Sequence, residues 1–184
     1  MRLFIAINFN DKTLSSLLAL RDGLRSHSEA GSFSLPENLH LTLAFLGECD
    51  GKQGAAAKTA MDSLCFAPFE LRIWHIGCFG GGRPGNRGSQ QGRGGAIWWA
   101  GAEESKPLLE LQRELTDKLI SAGFILDTRK YSPHITLGRQ VVTAEAPRRI
   151  EAFGETVRRI DLMKSERVNG KLTYTAIHTK LADG

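Results

Sequence analysis

The sequence predicts an α+β fold, bilobal, with mostly antiparallel sheets, outer helices and a central cleft. Three observations lead there. Short apolar, strand-like runs interleave with stretches in which leucines recur at helical spacing, as at Leu108, Leu111, Leu115 and Leu119. The dipeptide Asn169-Gly170 stands between two strand-like runs and signals a tight hairpin. A pattern of histidine, apolar residue, threonine, apolar residue occurs once per half, at His40-Leu41-Thr42-Leu43 and His134-Ile135-Thr136-Leu137, 94 residues apart. This weak internal repeat implies two lobes, each giving one strand to a shared cleft. It leaves strand order open.

The elements follow in order. Leu3 to Phe9 is apolar and aromatic, an opening strand. Asp11 reads as the N-cap of a helix to about Ser26, with leucines at 14, 17, 18, 20 and 24. Pro36 and Asn38 mark a turn before a motif strand over Leu39 to Leu46, ended by Gly47. A second helix is expected from about Gln53 to Leu64, and a strand from Leu71 to Phe79, placing His75 on one face with Ile73 and Phe79. From Gly77 to Gly95 nine of nineteen residues are glycine, with Arg83, Arg87 and Arg93 among them, which predicts a flexible loop or hairpin tip at about 80–95. Ala96 to Ala100 resumes as strand. Lys106 to Ala122 is a helix closed by Gly123, and Pro133 precedes the second motif strand. Ile160 to Met163 and Leu172 to Thr179 form the closing hairpin.

The chain has 184 residues, 41% of them apolar, enough for a core and too many for disorder. One domain over 1–184, built of two lobes, is expected. No run approaches a membrane span, and the opening apolar run ends at Asn8, too short for a signal-peptide core. Cys49, Cys65 and Cys78 are odd in number and far apart, without a C-x-x-C pair, as in a reduced cytoplasmic protein. The net charge of +4 favours anionic partners but is modest for a dedicated nucleic-acid binder. A monomer without cofactor or metal is expected.

Strand alternation puts each motif histidine on one face with its threonine and sends the apolar residues into a core. Imidazole titrates nearest neutrality, so a pair can act as one base and one acid. Threonine hydroxyls donate to phosphate oxygens, where charge develops in attack at phosphorus. A single histidine-x-threonine strand carries little weight, since such a histidine is more often a satisfied surface or half-buried residue; two copies, one per half, carry much more. His27 and His178 lack a companion pattern and read as surface or packing residues. His75 is a packed residue or a wall of the cleft. Three rivals stand beside this reading. His40, His75 and His134 are enough for a zinc site in number, but neither motif holds a carboxylate. Gly80 to Gly85 matches G-x-G-x-x-G formally, without helix-forming residues after it. A non-catalytic RNA-binding protein would use the arginine–glycine loop and Trp98 or Trp99.

The longer segments resemble the two-histidine phosphoesterase superfamily, most closely its bacterial and archaeal RNA 2′,3′-cyclic phosphodiesterases, once called 2′-5′ RNA ligases. Residues 2–7 resemble the opening strand, 36–47 the first signature and 129–139 the second. Ser165-Glu166-Arg167 with Gly170 and Tyr174 resembles the closing hairpin. The glycine-rich stretch departs from the family by being longer. The resemblance implies opening of a ribose 2′,3′-cyclic phosphate at an RNA end to a 2′-phosphate. His40 would protonate the departing O3′, His134 would activate water, and Thr42 and Thr136 would hold phosphate oxygens. Reversal would give 2′-5′ ligation. Related enzymes acting on other cyclic nucleotides or 2′-5′ linkages are the nearest alternative. Arg129 and Arg139 are candidate substrate-binding residues, although simple alternation puts Arg139 on the core face with Leu137.

Overall fold

The computed structural model describes residues 1–80, 95–127 and 129–184. In chain order the elements are β1 (Arg2–Ile7), α1 (Asp11–Ser26), β2 (Ser28–Phe33), a single 3₁₀ turn (Pro36–Asn38), β3 (Leu41–Glu48), α2 (Gly51–Asp62), β4 (Phe69–Phe79), β5 (Ala96–Ala102), α3 (Lys106–Ser121), β6 (His134–Thr143), β7 (Arg148–Val157), β8 (Arg159–Val168) and β9 (Lys171–Leu181). They form two sheets, ordered β3-β1-β8-β9 and β2-β6-β5-β4-β7, antiparallel at every pairing. The α+β expectation holds. The stretch at about 80–95 links two strands that pair with each other; its arginines, Arg83, Arg87 and Arg93, lie outside the described residues.

Local chemistry sets the ends of the helices. Asn10, not Asp11, caps α1: its side chain accepts from the Thr13 amide at 2.9 Å, and Asp11 becomes the first helical residue, where its charge complements the helix dipole. Asp50 and Gln53 close a reciprocal capping box on α2, so that helix begins at Gly51 rather than Gln53. Pro107 sits in the first turn of α3, where its missing N–H costs nothing. Asn169 and Gly170 both take positive φ, 50° and 80°, as a two-residue hairpin turn requires. Strands β2 and β7 had no sequence expectation. Both sit on sheet edges and carry polar residues, so neither shows the alternation of a half-buried strand.

Helix α1 packs on the second sheet, against β2, β6 and β7; α2 lies near β9, and α3 touches β3 of one sheet and β4 of the other. The core fills this outer space with Leu3, Ile5 and Ile7 of β1, Leu41 and Leu43 of β3, and Leu108, Leu115 and Leu119 of α3. The other face of β1 holds a small separate cluster of Phe4, Ala6 and Met163, packed by Tyr174. Strands β3 and β6 come together where the sheets meet. There the Tyr131 hydroxyl donates to the Thr42 carbonyl at 2.9 Å, joining the segment before β6 to the start of β3. Among the described residues no helix is long and apolar enough to cross a membrane.

Tyr131→Phe keeps the ring and removes that bond. It should lower stability by about 1–2 kcal/mol, since a Thr42 carbonyl without its partner costs more than the bond itself contributes. Urea denaturation measures it, and an unchanged midpoint would show the bond to be dispensable.

Candidate active site

A cleft of ≈ 1000 Å³ opens between the sheets, lined by His40 and Thr42 from one side and His134 and Thr136 from the other. Alternation places them there. Leu41, Ile135 and Leu137 are fully buried and Leu43 nearly so, which leaves the motif partners on the opposite face. His40 precedes β3 rather than lying within it, on the turn that follows the Pro36–Asn38 helix.

Both imidazoles are held the same way. His40 Nδ1–H donates to the carbonyl of Asn38 at 2.8 Å, and His134 Nδ1–H to that of Ser132 at 2.7 Å. A carbonyl can only accept, so Nδ1 carries the hydrogen in each ring, and Nε2 is left as the atom that exchanges protons. His40 Nε2 lies 3.1 Å from Thr42 Oγ1. Neutral His40 accepts from that hydroxyl; protonated, it donates to it.

The surroundings of the two rings differ. Phe4 packs at 4.7 Å and Tyr174 edge-on at 5.3 Å, centroid to centroid, around His40. Around His134 stand Phe79, edge-on at 5.1 Å, and Trp99 at 6.0 Å. Burial lowers the pKa of His40 from its ordinary value of 6.5; the Asn38 carbonyl opposes this, while the charges of Arg139 and His134 add to it. Ser34 completes the frame: its hydroxyl donates to the Thr136 carbonyl at 2.7 Å and its amide to that of Leu137 at 2.9 Å.

Arg139 lines the same cleft. Simple alternation would have sent it into the core, but the register of β6 slips by one against β5: Trp99 faces Thr136 while Trp98 faces Gly138. This β-bulge leaves Leu137 and Gly138 both buried and returns Arg139 to the side of Thr136. Arg129 is different. Its exposed guanidinium is turned onto Asp127, with Nε 2.8 Å from a carboxylate oxygen, and it is not among the cleft-lining residues. The expected substrate contact of Arg129 therefore has no counterpart in this geometry. A bulge in β4 likewise separates His75 from Ile73: Ile73 faces Ala102 and His75 faces Gly101, so Ile73 is core and His75 lies on the face of His134. His75 borders a second pocket rather than the cleft. Among the described residues no three histidine, cysteine, aspartate or glutamate side chains are grouped as a metal site requires. Of the other expectations, Trp98 is core, His27 is exposed, and His178 pairs with Asp62 at 2.7 Å.

Sequence reasoning did not assign Phe4, Tyr131 or Tyr174 to the site. The available signal was β1 itself, apolar on both faces, which means that something covers each side.

The chain matches the 2′-5′ RNA ligase superfamily over residues 16–169 and belongs to that superfamily. It is 30% identical over 159 residues to an RNA 2′,3′-cyclic phosphodiesterase of Methanothermobacter thermautotrophicus, covering 85% of this chain and 78% of the relative. It is also 30% identical over 159 residues to one of Geobacillus stearothermophilus, covering 82% of this chain but only 45% of that longer relative. Among solved structures, Escherichia coli LigT complexed with 3′-AMP superposes with a TM-score of 0.80 at 24% identity, over 100% of this chain and 98% of that one; the likeness is one of fold.

The environment of His40 has a measurable consequence. In an NMR titration its imidazole should titrate below 6.5. Arg139→Gln removes a nearby positive charge, which relieves the penalty on the charged ring and should move the midpoint upward. A midpoint at or above the ordinary value would contradict the burial of His40, and one unmoved in the variant would contradict the placement of Arg139.

Proposed function

We propose that residues 1–184 act as one bilobal catalytic unit that opens the 2′,3′-cyclic phosphate at an RNA end to a 2′-phosphate, by acid–base chemistry of two histidines. The observation that carries this is the matched pair of imidazoles, each tied at Nδ1 to the carbonyl two residues back and each leaving Nε2 for proton exchange in one cleft. The names of the curated relatives support the same substrate. In the step itself, water attacks phosphorus and loses a proton to His134 Nε2. The P–O3′ bond breaks, and O3′ takes a proton from His40 Nε2. Thr42 and Thr136 donate to the non-bridging oxygens, and Arg139 offsets their charge. With a 5′-hydroxyl in place of water, the same displacement yields a 2′-5′ linkage.

The role of His40 has a physical condition. Its lowered pKa keeps it neutral in the free protein near neutral pH, whereas an acid has to be charged when O3′ departs. An anionic phosphate beside His40 favours its charged form, so substrate binding loads the proton that the step consumes. The acid and base assignment rests on the family resemblance, because the two motifs and their Nδ1 anchors are alike.

Incubation with an oligonucleotide ending in a 2′,3′-cyclic phosphate should yield the 2′-phosphate, and turnover should persist in chelator. A 3′-phosphate as sole product, or loss in chelator that zinc restores, would overturn the mechanism. His40→Ala and His134→Ala should each cost about 10²–10⁴-fold. An analogue with a much better leaving group at O3′ should rescue His40→Ala and not His134→Ala; rescue of the other variant alone would reverse the roles.

A further inference from the structure

The face of the second sheet that carries His134 does not end at the cleft. Four residues in register, His134 on β6, Gly101 on β5, His75 on β4 and Arg149 on β7, form one row across the sheet. Facing residues on neighbouring strands share a side, so this row points the same way throughout, over three strand spacings or about 14 Å. The far end opens into a second pocket of ≈ 640 Å³, bordered by Trp74, His75, Trp99 and Arg149. Ser132, whose carbonyl anchors His134, borders it too.

The floor between cleft and pocket is aromatic, its rings tilted or edge-on to one another. Ring centroids step from His134 to Trp99 at 6.0 Å, from Trp99 to His75 at 5.2 Å, and from His75 to Trp74 at 4.3 Å. Two glycines make room for it. A Cβ on Gly77 would meet the Trp99 indole, and one on Gly101 would meet the His75 imidazole. Each of these rings therefore fills the space over a cross-strand glycine, which a side chain there would take from it. At the end of this floor the Arg149 guanidinium lies 5.5 Å from the Trp74 ring centroid. The acids nearby are committed elsewhere: Glu103 pairs with Arg72 at 3.6 Å and Glu104 with Lys130 at 3.0 Å. Arg149 forms no ion pair among the described residues. The floor also carries a cost that packing alone does not return, since His75 Nδ1 and Trp99 Nε1 are buried without a hydrogen-bond partner among the described residues.

We propose that this aromatic row and its terminal arginine are the binding site for the RNA nucleotides that precede the cyclic end. Stacking surfaces beside a cation that has no acidic partner are what single-stranded RNA needs, π-faces for bases and charge for phosphates. Trp74 supplies a base platform and Arg149 a phosphate contact, while the cyclic phosphate sits at His134. The proposal rests on the function proposed above and adds to it a direction for the strand: away from the cleft across β5 and β4 to β7.

The test compares a 2′,3′-cyclic mononucleotide with an RNA trinucleotide ending in the same cyclic phosphate. Trp74→Ala should raise the KM of the trinucleotide about tenfold relative to that of the mononucleotide, the loss of one stacked base. Trp74→Phe should restore most of it. Arg149→Gln, on an exposed position of an edge strand, should weaken the trinucleotide and flatten the salt dependence of its binding by roughly 0.7 in log–log slope. Equal effects on both substrates, or none on the trinucleotide, would overturn the site. Quenching of tryptophan fluorescence by the trinucleotide carrying a terminal 2′-phosphate reads the site without turnover. If neither substrate is hydrolysed but that titration still depends on Trp74 and Arg149, the proposed reaction fails and the RNA site stands.

Discussion

The Tyr131 hydroxyl and the Thr42 carbonyl meet where the two sheets come together, and the geometry of the cleft depends on that seam. Each motif is set within its own sheet by local means: strand alternation, the buried leucines and isoleucine, and a backbone carbonyl that fixes each imidazole. None of these relates one motif to the other. Relating them takes contacts across the seam, and a hydrogen bond that is shielded from water specifies position well because breaking it leaves a polar group unsatisfied. Gln112 of α3 adds a second link to this region, donating to the Leu43 carbonyl at 3.3 Å from a helix that touches both sheets.

Two histidines of the same motif, anchored alike, sit in unlike places. His40 is enclosed by Phe4 and Tyr174, and burial dominates its proton affinity. His134 stands at the start of β6, beside the aromatic floor of the second sheet. A near-repeat in sequence thus becomes an asymmetric pair, which is what acid–base chemistry on opposite sides of one phosphorus atom calls for. The asymmetry comes from the strands that cover each ring, not from the motifs.

Irregularities in the strands do much of the placing. A perfectly alternating β6 would bury Arg139 with Leu137, and a perfectly alternating β4 would put His75 and Ile73 together. One extra residue in each strand reverses these outcomes, giving the cleft a cation beside Thr136 and bringing His75 onto the face of His134. Gly77 and Gly101 then leave the space that the Trp99 and His75 rings fill.

The sequence by itself determined the α+β class, the three helices, the closing hairpin at Asn169-Gly170 and the two histidine–threonine strands. These rest on local physics: the 3.6-residue and two-residue periods, and turn residues that tolerate positive φ. The tertiary structure decided what depends on partners distant in the chain. Edge strands β2 and β7 exist because a neighbour offers hydrogen bonds, and their own residues show no alternation. Register slips are set by cross-strand fit, so the cleft position of Arg139 and the pocket position of His75 were not legible in advance. Arg129 lay beside the second motif in sequence, yet the exposed segment before β6 turned it onto Asp127. Phe4, Tyr131 and Tyr174 joined the site through packing across sheets, a relation between surfaces that no period along one strand records.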